Sequence, residues 1–249
     1  MIKLSAVVIA FNEERCIEKC LKSLAPVADE IVVVDSFSTD ATVSLCRSFN
    51  ARVIQRAFEG HIEQKNFALD SAAHPFVISL DADEALSGEL RDSILKAKAG
   101  WEADAYAMNR RNIYCGKWIR RCGWYPDRKV RLWDRRRGRW GGVNPHDRVI
   151  MEKGSRLAFL KGDILHDTYA SPGEHLAQAR SFAAIAARSL RQRGRIRNAL
   201  SMLLDPPFRF FRAYLFKLGF LEGRAGWRIS LVSAYEVFLK YRSAMKGAP

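Results

Sequence analysis

The sequence predicts an α/β domain built on a mostly parallel sheet that is flanked by helices, followed by a helical carboxy-terminal extension. Four apolar, β-rich runs alternate with helical patterns in the first eighty residues, and this alternation is typical of βαβ units with right-handed crossovers. The fourth run, residues 76–80, ends directly in Asp81 and Asp83. Because ligands bind beyond the carboxyl ends of parallel strands, the two acids predict a site at that edge of the sheet.

Turn-forming and helix-capping residues separate each predicted strand from the helix that follows it. The elements are strands at 5–11, 30–35, 52–55 and 76–80, and helices from Asn12 to before Pro26, through 43–49, over about 61–72 and from Ser87. Further strands are predicted at 103–108, 148–151 and 163–166.

Composition bounds the class of protein. The chain of 249 residues is nearly half apolar, which argues against disorder. Its formal charge of +14 requires an anionic partner, and nucleic acid, an acidic membrane and a phosphorylated substrate all satisfy that requirement.

Cysteine usage and hydropathy predict a cytoplasmic protein. Five cysteines, an odd number without a C-x-x-C motif, favour reduced thiols. The apolar stretch at residues 6–11 is too short for a signal peptide, and no run reaches the roughly 18 apolar residues that a spanning helix needs.

Acidic and amide side chains stand where other nucleotide-binding proteins carry glycines. Neither G-x-G-x-x-G nor G-x-x-x-x-G-K occurs, so dinucleotide and P-loop sites lose their usual support. Instead Asn12 and Glu13 follow the first strand, Asp35 ends the second, and Asp81 and Asp83 follow the fourth. Such groups can bind a base, a ribose and a metal on a diphosphate, although each could also serve only as a turn or cap residue.

Several segments together resemble a known enzyme family. They are VVIAFNEE (7–14), EIVVVDSFSTDAT (30–42), QKNFAL (64–69), LDADE (80–84), NRRNIYCGKWIRRCGWYPDRKVRLW (109–133), the pair at 146–147, LKGDILHDTY (160–169) and KLGFLEGRAGWRISLVSAYEVFLKY. The chain resembles family 2 glycosyltransferases of GT-A fold, and in particular the bacterial lipopolysaccharide-core β-glucosyltransferase subgroup.

That resemblance implies a set of donor-binding residues. Contacts to the uracil and ribose of a UDP-sugar would come from Ala10, Asn12, Glu13 and Asp35, and Lys65 would lie near the diphosphate. A divalent metal, Mg²⁺ or Mn²⁺, would be held by Asp83, with Asp81 near the ribose or a metal-bound water and His166 as a further metal ligand or a contact to the diphosphate. A solvated helix residue is the alternative interpretation of Lys65, and a buried, hydrogen-bonded imidazole is the alternative for His166.

Basic and aromatic residues interleave from Arg110 to Trp133. Arginines can bind phosphates and aromatic rings can stack on sugars, so this segment is interpreted as a groove for a phosphorylated glycolipid. The candidate acceptor-binding residues are Arg110, Trp124, Tyr125, Arg128, Arg131 and His146. The same mixture would suit single-stranded nucleic acid, and a buried core with a solvated basic face is a third interpretation.

The general base is predicted by resemblance to be Asp147. Family members commonly carry His-Glu where this chain has His146-Asp147, and aspartate keeps the carboxylate while shortening its reach. An Asp147 that is merely paired with a nearby arginine is the alternative.

The carboxy-terminal region is predicted to be helical and basic. Ser171, Pro172 and Glu174 form a helix start, and the helix should end at Gly194. After Pro206-Pro207, the segment FRFFRAYLFKLGFLEG is amphipathic and basic, with glycines at 219, 223 and 226 dividing it into two helices. It suits an anionic bilayer interface, although packing on the catalytic domain or on a second copy of the chain would also cover its apolar side.

These expectations combine into one hypothesis. Residues 1–170 would form the catalytic domain, with 1–100 binding the nucleotide sugar and 101–170 the acceptor, and residues 171–249 would bind membrane or another subunit. The enzyme would transfer glucose from UDP-glucose, with inversion, to a heptose of the lipopolysaccharide inner core, at the cytoplasmic face of the inner membrane. Another UDP-sugar or acceptor, a nucleic-acid-binding module and a non-catalytic membrane adaptor are the alternatives.

Overall fold

The computed structural model describes residues 1–143, 146–190 and 195–246. They form two compact units. The first comprises Met1–Arg110 and Asp127–Asp167, and the second comprises Arg111–Pro126 and Thr168–Pro249. The segment 111–126 therefore belongs with the carboxy-terminal helices, whereas the sequence interpretation grouped it with residues 101–170.

The first unit is built on an eight-stranded path with the order β3-β2-β1-β4-β8-β6-β11-β5. The strands are β1 (Leu4–Ala10), β2 (Glu30–Asp35), β3 (Arg52–Gln55), β4 (Phe76–Asp81), β5 (Glu84–Leu86), β6 (Ala105–Tyr114), β7 (Lys117–Trp118), β8 (Asp127–Asp134), β9 (Gly138–Val143), β10 (His146–Met151) and β11 (Leu157–Tyr169). Short β7 pairs with the end of β6 in the second unit, and β9 and β10 form a separate two-stranded sheet.

Helices α1 (Ile17–Leu24), α2 (Thr42–Ser48), α3 (His61–Ser71) and α4 (Gly88–Ala99) complete the first unit. The four strands predicted in the first eighty residues pair in parallel, β1 with β2 and β4 and β2 with β3, as the βαβ pattern requires. Valines and isoleucines of β1, β2 and β4 fill the core on both faces of this sheet. The predicted α/β class is confirmed.

Asn12 does not cap the first helix, and that expectation was wrong. The helix begins at Ile17, and Asn12 adopts a left-handed backbone conformation with φ of 54°. Its backbone N–H donates to the Ser38 hydroxyl at 2.8 Å. Asn12 is therefore hydrogen-bonded to the loop after β2, and α1 begins only after a further turn of the chain. Ser87 does cap α4, since its hydroxyl accepts the Leu90 N–H.

The strands after residue 100 are longer than the local patterns predicted. The strand expected at 103–108 extends to Tyr114, the strand expected at 148–151 begins at His146, and the strand expected at 163–166 spans Leu157–Tyr169. Strands β6 and β11 pair in antiparallel fashion with β8 and β5, which are distant in the sequence, and β10 pairs with the neighbouring β9. Their ends carry polar and basic side chains, so hydrophobic pattern alone underestimated their length.

The second unit contains α5 (Pro172–Leu190), α6 (Arg195–Phe211), a π-helical turn at Arg212–Phe216, a 3₁₀ turn at Gly219–Glu222 and α7 (Arg224–Met245). The predicted start of α5 is confirmed, because the Ser171 hydroxyl accepts the Glu174 N–H and the Glu174 carboxylate accepts the Ala170 N–H. The predicted stop at Gly194 lies outside the described residues.

Helix α6 continues through Pro206 and Pro207, so the amphipathic segment is not the separate helix that was expected after them. The predicted break near the glycines is confirmed between the 3₁₀ turn and α7. A Cβ on Gly226 would lie 1.8 Å from the Gly219 carbonyl oxygen, so this tight crossing requires glycine. None of the helices in the described part of the chain is long and apolar enough to cross a bilayer.

Candidate active site

Acidic side chains follow the ends of three parallel strands, and together they form what we call the acidic rim: Glu13 after β1, Asp35 at the end of β2, and Asp81 and Asp83 at and just after the end of β4. In the register of the sheet, Ala10 at the end of β1 lies opposite Asp35 on β2, and Ile9 lies opposite Asp81 on β4. Asp35 and Asp81 therefore flank the same strand end from either side. This is the edge at which open parallel sheets bind ligands.

Hydrogen bonds tie the loops after β1 and β2 to each other. The Asn12 side-chain oxygen accepts the Thr39 N–H at 2.9 Å, and the Glu13 N–H donates to the Thr42 hydroxyl at 2.8 Å. Asp35 is fully buried and accepts the Ser38 N–H at 3.0 Å. The polar residues expected to contact a base and ribose thus also fix the shape of the rim before any ligand arrives.

Glu13 carries a perturbed carboxyl group at this rim. Burial, together with the charges of Asp83, Asp40 and Asp81, raises the pKa of Glu13 from 4.5 to about 7. Near neutral pH the side chain therefore exchanges between a protonated donor form and an ionised acceptor form.

Lys65 contacts two acids to which the sequence analysis gave different roles, Asp81 at the donor site and Asp147 as the general base. It is buried on α3, and its ammonium lies 2.8 Å from Asp81 Oδ1 and 2.8 Å from Asp147 Oδ2. The same ammonium lies 4.4 Å from the ring centre of Trp140. Lys65 is therefore no solvated helix residue, and the cation that pairs with Asp147 is this lysine rather than an arginine.

The neighbours of Lys65 in the sequence hold α3 in place. The Gln64 side-chain amide donates to the Ser36 hydroxyl at 3.1 Å, and the Asn66 amide donates to the Trp140 carbonyl oxygen at 2.9 Å. Asn66 also accepts the Trp140 N–H at 3.1 Å. The QKN triplet therefore connects α3 to the loop after β2, to the acids and to β9, one residue for each.

A second buried cation, Arg131 on β8, completes the network. Its guanidinium lies 2.9 Å from Glu84 Oε1 and 3.2 Å from Asp81 Oδ2, and it stacks over Trp140 with 5.0 Å to the ring centre. Arg110 also reaches Glu84, at 3.3 Å. The charges alternate from Asp147 through Lys65, Asp81 and Arg131 to Glu84.

The state of Asp81 follows from this arrangement. Burial alone would raise the pKa of Asp81, but the charges of Lys65 and Arg131 outweigh it and hold that pKa far below its usual range. The negative charges of Glu84, Asp81 and Asp147 likewise outweigh burial and raise the pKa of Arg131. Both oxygens of Asp81 face cations, so a metal ion would have to compete with Lys65 and Arg131 for them.

Asp83 stands in a different environment from Asp81. Its carboxylate lies 3.1 Å from His166 Nε2, and within the described residues it forms no ion pair with a lysine or arginine. The two side chains are 30 % and 13 % exposed. Across the described ranges, no group of three or more His, Cys, Asp or Glu residues is arranged to hold a metal. A cation at this position would need further oxygen ligands from a bound molecule or water.

The predicted acceptor-binding residues divide between the two units. In the first unit, Arg110 and Arg131 form the ion pairs given above, and Arg128 lies over the Phe159 ring at 5.3 Å, beside a surface cleft of about 390 Å³. His146 begins β10. In the second unit, Trp124 packs edge-on against Tyr114 and His175, and Tyr125 precedes the cis peptide bond to Pro126.

Glu84 and Trp140 are functional candidates that the sequence interpretation missed. Glu84 is only 1 % exposed and pairs with two arginines, and Trp140 lies beneath both buried cations. A signal was available for the first, because Arg131 falls within the apolar run VRLW and a buried arginine requires an acidic partner. Trp140 lies in a glycine-rich segment whose pattern gave no indication of burial.

Comparison with known proteins decides the family. Residues 5–159 match the family model described as glycosyl transferase family 2, and this match covers more than half of the chain and all of the acidic rim. The chain belongs to glycosyl transferase family 2. Membership, together with the parallel strand order, confirms the predicted GT-A fold class and the prediction that the protein is a glycosyltransferase.

Relatives of this family 2 protein extend over its whole length. A lipopolysaccharide core biosynthesis glycosyltransferase, LpsC, of Rhizobium meliloti is 28 % identical, covering 100 % of this chain and 96 % of that protein. An uncharacterized glycosyltransferase of Rickettsia typhi is 27 % identical, covering 96 % of this chain and 86 % of that protein.

Solved structures resemble this family 2 chain more weakly. One is glucosyl-3-phosphoglycerate synthase of Mycobacterium tuberculosis, 23 % identical with a TM-score of 0.38, which covers 45 % of this chain and 44 % of that chain. That protein was crystallised with Mn²⁺, UDP and glucosyl-3-phosphoglycerate.

Proposed function

We propose that this glycosyltransferase moves glucose from UDP-glucose, with inversion and with a divalent metal, to a heptose hydroxyl of a lipopolysaccharide inner core. The observation that carries the proposal is the bridge formed by Lys65. One ammonium contacts both Asp81, at the donor-side strand end, and Asp147, the residue proposed as base. Donor binding and proton removal therefore share one buried cluster.

In this mechanism Asp147 accepts the proton of the attacking hydroxyl. A general base must lie within hydrogen-bond reach of that proton, and its orientation decides its efficiency. The bond from Lys65 to Asp147 Oδ2 holds the carboxylate in one orientation. Because the reaction is a single displacement, no second carboxylate is required as nucleophile.

The residues present fit a divalent metal of the Mg²⁺ or Mn²⁺ type. Such ions prefer oxygen ligands and commonly bind through one or two carboxylates together with substrate phosphates and water. Asp83 offers a carboxylate and His166 a nitrogen at 3.1 Å from it, and Asp81 would assist from its place between two cations. When bound, the ion would offset the charge that develops on the leaving diphosphate.

Charge balance also supports a cation at this rim. Asp81, Asp83, Glu84 and Asp147 contribute four carboxylates, whereas Lys65, Arg131 and Arg110 contribute three positive charges, and Arg110 is shared with Asp127. Burial, with the negative charges of Asp83, Asp40 and Asp81 added to it, raises the pKa of Glu13. A divalent cation neutralises this excess and allows a diphosphate to approach an otherwise repulsive edge.

The acceptor is proposed to be a phosphorylated glycolipid at the cytoplasmic face of the inner membrane. The similarity to the lipopolysaccharide core biosynthesis glycosyltransferase of Rhizobium meliloti supports the lipopolysaccharide core as the substrate class. Arginines such as Arg128 could bind its phosphates and Trp124 and Tyr125 its sugars. Transfer of another hexose from UDP, or transfer to another lipid-linked glycan, is the nearest alternative.

The decisive experiment measures release of UDP from UDP-glucose, UDP-galactose and UDP-N-acetylglucosamine by the whole protein, with inner-core acceptor and with or without Mn²⁺. Turnover is expected with UDP-glucose, with dependence on metal. Asp147→Asn should lower kcat by about 10²–10⁴ while donor binding persists, and Asp83→Asn should weaken Mn²⁺ binding as well as turnover.

Asp70→Asn is the matched control, because Asp70 also lies on α3 but forms an exposed ion pair with Arg139. It should keep near-normal rates. Near-normal turnover in Asp147→Asn would remove Asp147 as the base. Preference for a different donor would replace glucose while leaving the mechanism in place.

A further inference from the structure

The positive charge of the chain is concentrated in the second unit. By sequence, this unit holds 18 lysines and arginines against four acids, which accounts for the entire formal charge of +14. The first unit holds 23 basic and 23 acidic residues. Three of the four acids already have partners within the unit, Glu222 with Lys117, Asp205 with the Tyr241 hydroxyl and Glu174 with the Ala170 N–H. The net charge is therefore a property of the helical unit and not of the catalytic sheet.

An apolar stripe runs along the exposed side of α6. It consists of Leu200, Leu204, Phe208, Phe211 and Leu215, each between 47 % and 64 % exposed. The spacings of four, four, three and four residues place these side chains on one helix face, which continues into the π-helical turn.

The opposite face of α6 supplies the packing of the helices. Asn198 is buried there, and Met202 packs against a cluster that contains Leu190 and Tyr241. The exposed stripe is therefore not used to hold α6 in the bundle. A contiguous surface of large apolar side chains is unusual unless something covers it.

A basic and aromatic cleft lies at the start of α7 in the same unit. Tyr214, Gly223, Arg224, Trp227 and Arg228 line a space of about 280 Å³. Trp227 is 49 % exposed, and its ring meets the Tyr214 ring edge-on at 5.4 Å. Two arginines beside two amphipathic rings suit the phosphate and glycerol groups of a lipid.

We propose that the second unit docks onto an anionic lipid bilayer, with the stripe of α6 in the interfacial layer and Arg224 and Arg228 on lipid phosphates. Charge complementarity selects this occupant. A second copy of the chain would bring another +14 to the same surface and be repelled. Nucleic acid would satisfy the charge but would leave the leucine and phenylalanine side chains in water, whereas an interfacial amphipathic helix uses both features.

The test is co-sedimentation of the whole protein with vesicles of phosphatidylcholine, with and without phosphatidylglycerol. Binding is expected only with the anionic lipid and should weaken as salt is raised. Leu204→Glu/Phe208→Glu should weaken binding by at least about tenfold. Arg224→Gln/Arg228→Gln should weaken it by about fivefold for each charge removed.

Leu157→Glu is the matched control. The exposed fraction of Leu157, 57 %, is similar to the 63 % of Leu204, but Leu157 lies on β11 in the first unit. The variant therefore makes the same change of charge and polarity outside the proposed surface. It should bind vesicles like the unmodified protein. All of the altered side chains named here are solvent-exposed or line the open cleft, and retained circular dichroism spectra confirm folding.

Equal binding to neutral and anionic vesicles would overturn the proposal, as would full binding by Leu204→Glu/Phe208→Glu. Tight binding to single-stranded RNA without co-sedimentation would assign the charge to nucleic acid instead. Concentration-dependent dimerisation that Leu204→Glu/Phe208→Glu abolishes, without vesicle binding, would make the stripe a subunit interface. The lipid-embedded acceptor is part of the proposed function, on which this inference rests; binding of UDP-glucose by the same variants without acceptor should be unchanged, because the acidic rim lies in the first unit, and its loss would count against the proposed function rather than against docking.

Discussion

Replacing Arg131 with methionine is the sharpest test of the buried ion network. The guanidinium is 4 % exposed and lies 2.9 Å from Glu84 and 3.2 Å from Asp81. Methionine keeps much of the apolar volume that stacks on Trp140 but removes the charge. The substitution therefore isolates electrostatics from packing.

The expected loss of stability follows from these distances. At an effective dielectric constant of about 20, two unit charges about 3 Å apart attract by roughly 5 kcal/mol, and desolvation offsets most of that gain. Glu84 keeps Arg110 at 3.3 Å, and Asp81 keeps Lys65 at 2.8 Å, after the change. Removing one partner of a buried pair typically costs about 3–5 kcal/mol, and we expect Arg131→Met to fall in that range.

The measurement is urea unfolding followed by tryptophan fluorescence. The free energies of unfolding are compared between variants whose dependence on urea concentration has the same slope. Arg136→Met is the matched control, because Arg136 pairs with Asp134 at 2.6 Å but is 65 % exposed; it should cost about 0–1 kcal/mol. Glu84→Gln/Arg131→Met should cost at least about 1 kcal/mol less than the sum of the single variants. An Arg131→Met loss no larger than that of Arg136→Met, or strict additivity with Glu84→Gln, would refute the reasoning.

Two titrating groups predict opposite dependences of stability on pH. The pKa of Glu13 is raised from 4.5 to about 7, chiefly by burial. The folded state therefore binds this proton more tightly than the unfolded state, and stability falls as pH rises from about 4.5 to 7. Glu13→Gln should remove this fall and gain about 1–2 kcal/mol above about pH 7; thermal unfolding profiles that coincide with those of the unmodified protein would contradict it. The pKa of His175 is lowered from 6.5 to about 4 by burial, so the unfolded state binds the proton first and stability falls as pH drops from about 6.5 to 4. His175→Phe should reduce this fall in the free energy of unfolding by up to about 3 kcal/mol. A melting temperature that changes with pH in the same way as in the unmodified protein would contradict it.

Local patterns were sufficient for the parallel half of the sheet and for the helix starts with explicit caps. Strands at residues 30–35 and 52–55 were predicted to the residue, because short β-rich runs between turn residues are unambiguous. The Ser87 and Ser171 caps were found for the same reason. The start of α1 was missed, since the conformation of Asn12 is decided by a hydrogen bond to Ser38, which is 26 positions away.

The network around Lys65 could not have been derived from such patterns. Lys65 and Asp147 are 82 positions apart, and Arg131 and Asp81 are 50 apart. Hydrophobic periodicity reports which face of a segment is buried, but it carries no information about which distant side chain meets it there. The location of the positive charge was likewise hidden, because a chain-wide charge of +14 does not reveal that the first unit is neutral.

The sequence by itself determined the fold class, the acidic strand ends and the enzyme family, because each is written in short runs of neighbouring residues. Only the tertiary structure decided that Asp81 is clasped by two cations while Asp83 is left to His166, and that the apolar side of α6 faces solvent. These outcomes depend on strand register and helix packing. They set which cations lie beside each carboxylate, and those neighbours decide whether a carboxylate holds the fold together or remains available to a ligand.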